Sequence, residues 1–156
     1  MQAVEPIRRA TVDDVEAITA VVNEAYSPYI ARIGKPPAPM LDDYRQVLEQ
    51  AQVHVATQDG HVVGVLVTDQ EDHDLWLLNI AVLARCKGQG LGKRLMAFCE
   101  AQARAAGCSA IKLYTHEKMT ENLDIYTRLG FVETHRAVQS GFARVFMYKP
   151  LVASGT

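Results

Sequence analysis

The chain is short of cysteine, of long apolar runs and of net charge, and each shortage excludes a class of protein. Its three cysteines, Cys86, Cys99 and Cys108, are an odd set with no Cys-x-x-Cys pair. Neither a disulfide framework nor a zinc site is expected from them, and no metal centre is expected elsewhere. No apolar stretch reaches the roughly 18 residues of a membrane helix. The start, MQAVEPIRRATVDD, has no apolar signal-peptide core. Sixteen Lys and Arg against eighteen Asp and Glu give a formal net charge of -2. The global basic field that holds nucleic acid is therefore missing. Together these absences predict a cytoplasmic protein in a reducing compartment, with neither membrane nor nucleic acid as partner.

What is present suits one domain. The chain has 156 residues, 49% of them hydrophobic, enough for a single sizeable core. We expect a domain over 1–150 and a tail over 151–156. AVEPIRRA reads as a first strand. Thr11 reads as a helix cap, with Asp13 and Asp14 in the first turn. Val12, Val15, Ile18, Val22 and Tyr26 then recur at helical spacing. YSPYIARIGKPPAPM, with four prolines and a glycine, reads as a loop too long for a simple connector. LDDYRQVLEQ predicts a short helix. VHVAT and VVGVLVTD flank an Asp-Gly hairpin turn, and EDHD is the next turn. LWLLNIAV is apolar enough for a strand buried on both faces. Leu91, Leu95, Phe98, Gln102 and Ala105 mark one face of a long helix ended by Gly107. AIKLYT is a strand, and TENLDIYTRL a helix capped by Thr120. FVETHRAV and FARVFMYK form a last hairpin through QSG. Helices and strands in mixed order imply one α/β or α+β layered fold.

The segment RCKGQGLGKRL places three glycines at alternate positions where a helix begins, at a cost in backbone entropy. A strand, a glycine-rich turn and a helix start together bind phosphate, because the first helical N–H groups have no internal partner. The basic cluster of Arg85, Lys87, Lys93 and Arg94 suits a small anionic ligand or, equally, a solvated face. The P-loop pattern fails, since Lys93 is followed by Arg94 and not by Ser or Thr. The dinucleotide pattern fails at its third glycine, where Lys93 stands. A basic residue, two more, Gly, one more, Gly does fit: Lys87, Gly90, Gly92.

With that spacing, LLNIAVLARCKGQGLGKRLMAFCEAQARAAG resembles the acetyl-CoA-binding core of the GNAT superfamily of N-acetyltransferases. MTENLDIYTRLGFVE resembles its second conserved segment, and the similarity runs over almost the whole chain in the right element order. The chain departs in two places. Lys87 stands where the family usually has Arg or Gln, and Met119 where its helix often begins with Asn. The resemblance implies a mixed, mostly antiparallel sheet of six or seven strands with flanking helices. Two central parallel strands, 75–82 and 110–115, should splay apart. It implies acetyl-CoA as co-substrate, held by the backbone of Ile80, Ala81 and Val82. The amides of Lys87, Gly88, Gln89, Gly90, Leu91, Gly92 and Lys93 should hold its pyrophosphate, with Asn122 and Tyr126 nearby.

The same resemblance implies Tyr126 as general acid and the Val82 N–H as oxyanion donor; spacing alone favours reading Tyr126 as a core residue packing on Leu123 and Leu129. A phenol titrates near pH ~10, so it is protonated and able to donate at neutral pH. His116 is the candidate base, with Glu121 and His73 as weaker ones, and Cys86 reads as a free thiol. Tyr26, Tyr29 and Arg32 are the candidate acceptor residues, or else part of a lid held by packing. An Arg among aromatics suits an amine that also carries a carboxylate or phosphate. Arg136 and Arg144 read as surface or dimer contacts, so a homodimer is compatible with the sequence. The expected function is acetyl transfer to the primary amine of a small molecule or amino acid. Peptide or protein N-acetylation, or CoA binding without turnover, are the alternatives.

Overall fold

The computed structural model describes residues 5–151. The first residues of the expected opening strand and the tail beyond Leu151 lie outside that range. Seven strands form one sheet, and five helices pack on it. β1 is Arg8–Arg9, β2 Gln52–Gln58, β3 His61–Glu71, β4 Asp74–Val82, β5 Ala110–His116, β6 Val132–Gln139 and β7 Phe142–Pro150. The helices are α1 Val15–Tyr26, α2 Tyr29–Ile33, α3 Tyr44–Gln50, α4 Leu91–Ala105 and α5 Thr120–Arg128. The strand order is β1-β2-β3-β4-β5-β7-β6, antiparallel throughout except at β4–β5.

Local chemistry accounts for the turns. Asp59-Gly60 and Ser140-Gly141 have positive φ at both positions, 53° and 78°, 52° and 79°. That is the two-residue turn whose twist matches a hairpin. The first helix starts later than its periodicity suggests. Asp14 accepts from the Thr11 N–H at 2.8 Å and from both Arg8 terminal nitrogens at 2.8 and 2.9 Å. These bonds wind Val12–Asp14 into a 3-10 turn and leave Val12 exposed. Thr120 is likewise the first residue of α5 and not its cap; Met119 takes that place, and the Thr120 hydroxyl turns to Glu121.

Helices cover the sheet on both faces. On one face α4 buries Leu91, Leu95, Cys99 and Ala103 against Leu66, Leu75, Ile111, Leu113 and Val145. The buried stripe of α4 thus runs through Cys99 and Ala103; Phe98 and Gln102 are half-buried and Ala105 is exposed. On the other face α1 packs Ile18, Val21 and Val22 on Val55, Val65 and Val67. Each such aliphatic side chain contributes about 1.5–3 kcal/mol when fully buried. Gly64 on β3 lets α4 sit close: a Cβ there would come within 3.1 Å of Leu95 Cδ1 and 3.4 Å of Leu91 Cδ2.

The site is created where the parallel pair ends. β4 and β5 pair only from Asp74↔Ala110 to Leu77↔Leu113. At that point the β3–β4 register slips: Thr68 faces Leu77 and Val67 faces Asn79, so Leu78 is a bulge residue. A bulge bends and twists its strand, and here it carries residues 78–82 away from β5. The expected double burial of this run fails at the bulge, since Leu78 is 37% exposed. The result is a cleft between β4 and β5, open toward the start of α4.

Candidate active site

The glycine segment forms a cradle at the end of that cleft. β4 ends at Val82, a 3-10 turn covers Ala84–Cys86, and α4 begins after Gly90. Gly88 and Gly90 both have φ of 81°, a left-handed conformation that costs any residue with a Cβ about 1–2 kcal/mol. Gly92 is different. It lies within α4 and does not have positive φ. A Cβ on it would meet nothing within 4 Å. Neither backbone nor packing calls for glycine there, so the space beside it is what the missing side chain leaves. The Lys87 N–H is taken by the Ala84 carbonyl at 3.2 Å, and the Arg94 N–H by Gly90 at 3.0 Å. The amides between them, Gly88, Gln89, Gly90, Leu91, Gly92 and Lys93, have no acceptor among the described residues. The expected run of donors is therefore shorter by Lys87.

The exposed edge of β4 leads into the cradle. Leu83 N–H donates to Val63 at 2.9 Å. Antiparallel partners alternate between bonded and non-bonded pairs. Val82 and Ile80, opposite Gly64 and Leu66, therefore turn their N–H and C=O groups away from β3 into the cleft. Ala81 between them faces β3 and is buried. The Ile80 carbonyl already accepts from the Tyr26 hydroxyl at 3.1 Å, leaving one lone pair.

Tyr126, on α5, reaches the cleft from the opposite side and lines its cavity together with Asn122. The ring packs in the core, 5.6 Å from Phe131, and the wall of the cavity also includes it. Its hydroxyl has no hydrogen-bond partner among the described residues. Burial pushes its pKa well above the usual phenol range, so it keeps its proton at any physiological pH. The Asn122 amide lies against Met119 Sδ at 3.6 Å.

A cavity of about 220 Å³ continues from the cleft. One wall is β5 and β7, with Tyr114, His116, Phe142 and Arg144; the other is Ile33, Pro37, Ala38, Pro39 and Asp42. The segment after α1 is thus partly structured and roofs the cavity; of the three expected acceptor residues Tyr26 lines it, while Tyr29 and Arg32 do not. Tyr26 ends α1 in the core, 9% exposed, and donates to Asn79 Oδ1 at 2.7 Å. Asn79 Nδ2 approaches the Tyr44 hydroxyl at 3.0 Å, which donates to Pro39 O at 2.7 Å. This buried chain ties α1, β4, α3 and the roof together. Tyr29 and Arg32 point elsewhere: both bond Glu121 on α5, at 3.3 and 2.6 Å, and Arg32 also bonds Lys118 O at 3.1 Å. Arg32 holds the Glu121 carboxyl down at about 2. These two residues brace α2 against α5 and do not line the cavity.

His116 does line it, but its Nδ1 accepts from the Lys118 N–H at 3.1 Å. Burial lowers its pKa, which favours the neutral ring. In a neutral ring whose Nδ1 accepts, the proton sits on Nε2. The imidazole therefore keeps a donor and no free lone pair, the reverse of what a base needs. Glu121 is engaged by Arg32, and His73 lies in the β3–β4 turn. Cys86 is buried near Gln58, away from the cavity wall. Sequence reasoning missed Arg144, Asp42, Tyr44 and Asn79; only the pairing of β5 with β7 could have brought Arg144 to His116.

The sheet splits beside its parallel pair, and unpaired strand amides run from a turn with free N–H groups to a small, partly open cavity; such a layout suits a group transferase. Residues 18–131 match the Acetyltransferase (GNAT) family, and the chain belongs to it: the protein is an N-acetyltransferase. It is 27% identical over 137 residues, 83% of this chain and 86% of the other, to an aminoalkylphosphonate N-acetyltransferase of Salmonella typhimurium. The fold is similar to that of the PaiA N-acetyltransferase of Thermoplasma acidophilum in complex with coenzyme A, with TM-score 0.77, 18% identity and coverage of 96% and 99% of the two chains. It is also similar to the ribosomal-protein-S18-alanine N-acetyltransferase of Escherichia coli, with TM-score 0.76, 19% identity and coverage of 100% and 99%. Among the described residues no helix is long and apolar enough to cross a membrane.

Proposed function

We propose that the protein transfers the acetyl group of acetyl-CoA to the primary amine of a small molecule by direct attack within a ternary complex. The observation that carries this reading is the continuity of the unpaired β4 edge with the six free amides of the cradle. Acetyl-CoA brings an activated thioester carbonyl. Gly88 to Lys93 present N–H groups and the positive end of the α4 dipole to its pyrophosphate. Ile80 and Val82 present strand edges to its amide-bearing arm, as a sheet edge receives an added strand. The Val82 N–H donates to the carbonyl oxygen, where negative charge grows as the amine attacks. Tyr126 holds a proton at its phenol oxygen for the departing sulfur, and Asn122 lies one turn before it.

The size of the cavity favours a small acceptor. Its volume is below the roughly 300–1,000 Å³ of sites for drug-sized ligands, and residues 33–42 roof it. The relative from Salmonella is named for acceptors of that size. Burial of Cys86 favours direct attack over an acetyl-cysteine intermediate.

The test is thiol release from acetyl-CoA across a panel of small amines and short peptides, with both substrates varied. Intersecting initial-rate lines and a preference for small amines are expected. Parallel lines would indicate a covalent intermediate. Coenzyme A binding with no thiol release on any amine would indicate a binding module.

A further inference from the structure

The acceptor cavity has a cationic end made by residues that pair across the sheet. His116 on β5 lies directly opposite Arg144 on β7, and opposite residues of an antiparallel pair share a face. That face carries Tyr114 and Phe146 as well, 5.5 Å apart. The Arg144 Cζ lies over the Tyr114 ring, 4.2 Å from its centroid, and its Nη1 donates to Gln139 Oε1 at 2.9 Å. Both partners are neutral. Arg8, Arg32, Arg104 and Arg136 each lie within 4 Å of a carboxylate; Arg144 has no such partner among the described residues. A guanidinium over an aromatic ring is held in place with most of its N–H groups still available.

Neighbouring groups add to the same sign. His116 lines the cavity too, and with its Nδ1 engaged by the Lys118 N–H the neutral ring carries its proton on Nε2. Lys35 sits 4.2 Å from the Phe142 ring, which lines the cavity, and donates to Gly141 O at 2.7 Å. Asp42 is the single carboxylate of the wall. Lost hydration raises its pKa while the charge of Arg144 lowers it.

We propose that Arg144, with the His116 Nε2–H, binds an anionic group of the acceptor. The substrate class is then a small primary amine that also carries a carboxylate, phosphonate or phosphate. The amine end faces the Val82–Tyr126 part of the cleft. This rests on the acetyl-transfer reading for the amine end, but the anion site stands on binding alone. A charge-assisted pair with a planar guanidinium is among the strong hydrogen bonds, so it discriminates firmly against an uncharged analogue.

The experiment measures binding of β-alanine, aminomethylphosphonate and propylamine by calorimetry, to the protein saturated with coenzyme A, alongside thiol release with the same amines. The two anionic amines are expected to bind at least about tenfold more tightly than propylamine. Arg144→Gln should bring the three close together, and Arg144→Lys should restore part of the gap. In the unmodified protein, methylphosphonate should displace β-alanine. Propylamine binding as tightly as the anionic amines, or no detectable binding of either anion, would overturn the proposal, and needs no variant to fold. Tight anion-dependent binding with no thiol release would uphold the anion site and sink the acetyl-transfer reading instead.

Discussion

The two ends of the cleft are built in opposite ways. The donor end comes from one contiguous stretch, Ile80 to Lys93, in which strand edge, turn and helix start follow each other along the chain. The acceptor end comes from three distant stretches, 33–42, 114–116 and 142–144, joined by sheet pairing and by the Tyr26–Asn79–Tyr44 chain. On the proposed reading the donor end uses backbone amides, which every residue supplies, and the acceptor end uses side chains, which substitution changes freely. A common co-substrate with a variable acceptor is what such a division permits.

Tyr126 stands between the two ends, and its loss is expected to have the largest effect. Tyr126→Phe removes one oxygen without a protein partner and keeps the buried ring. A fall in kcat of about 10²-fold is expected, with melting temperature and coenzyme A affinity unchanged. If affinity fell with kcat, Tyr126 would belong to the donor end as a packing residue.

Asn79 tests whether the acceptor wall is held from the donor strand. It sits on β4 but ties Tyr44, and through it Pro39, to the sheet. Asn79→Ala removes one partner from each of two buried hydroxyls, which keep Ile80 O and Pro39 O, and should cost about 1 kcal/mol per lost bond in stability. The KM for the amine should rise while coenzyme A affinity stays. Equal loss at both ends would mean that the walls are not separable.

Gly92 offers a sharper test of the donor end than Gly90, whose left-handed backbone confounds any substitution. Gly92→Ala fits a helix and meets nothing, so stability should hold or rise by up to about 1 kcal/mol. Coenzyme A affinity should nevertheless fall by about tenfold, the equivalent of roughly 1.4 kcal/mol. Unchanged affinity by calorimetry would remove the pyrophosphate from this turn.

The smallest effect is expected at Arg32. Its pair with Glu121 is exposed on both sides, 45% and 53%, and solvent screening leaves such pairs little weight. Arg32→Ala should leave the amine KM within about twofold, whereas Arg144→Gln should not. A larger effect of Arg32 on KM would return it to the acceptor site and break the distinction drawn above.

Arg32 and Arg144 also mark how far the sequence could be read. Both are arginines near aromatics, in YIARIG and GFARVF, and nothing local separates them. Arg32 looked like the acceptor residue because it lies in a long loop. Five residues of that loop form α2, which turns Arg32 to Glu121, 89 positions away. Arg144 looked like surface until β7 was set beside β5. The cap of α5 and the buried stripe of α4 were misplaced by short distances for a related reason. Periodicity gives the face of a helix, but the neighbouring layer decides which edge of that face is covered.

Hairpin turns at Asp59-Gly60 and Ser140-Gly141, the strand order of apolar runs, the glycine cradle and the motif around Tyr126 are properties of adjacent residues. They depend on backbone sterics and hydrogen bonds within a few positions, so the amino-acid sequence alone determined them. The opening of the cleft at the Leu78 bulge and the meeting of His116 with Arg144 depend on register between strands far apart in the chain. Register is settled once a face of the sheet is buried, because a slip of one residue would turn every core side chain to the wrong face; the tertiary structure alone decided them.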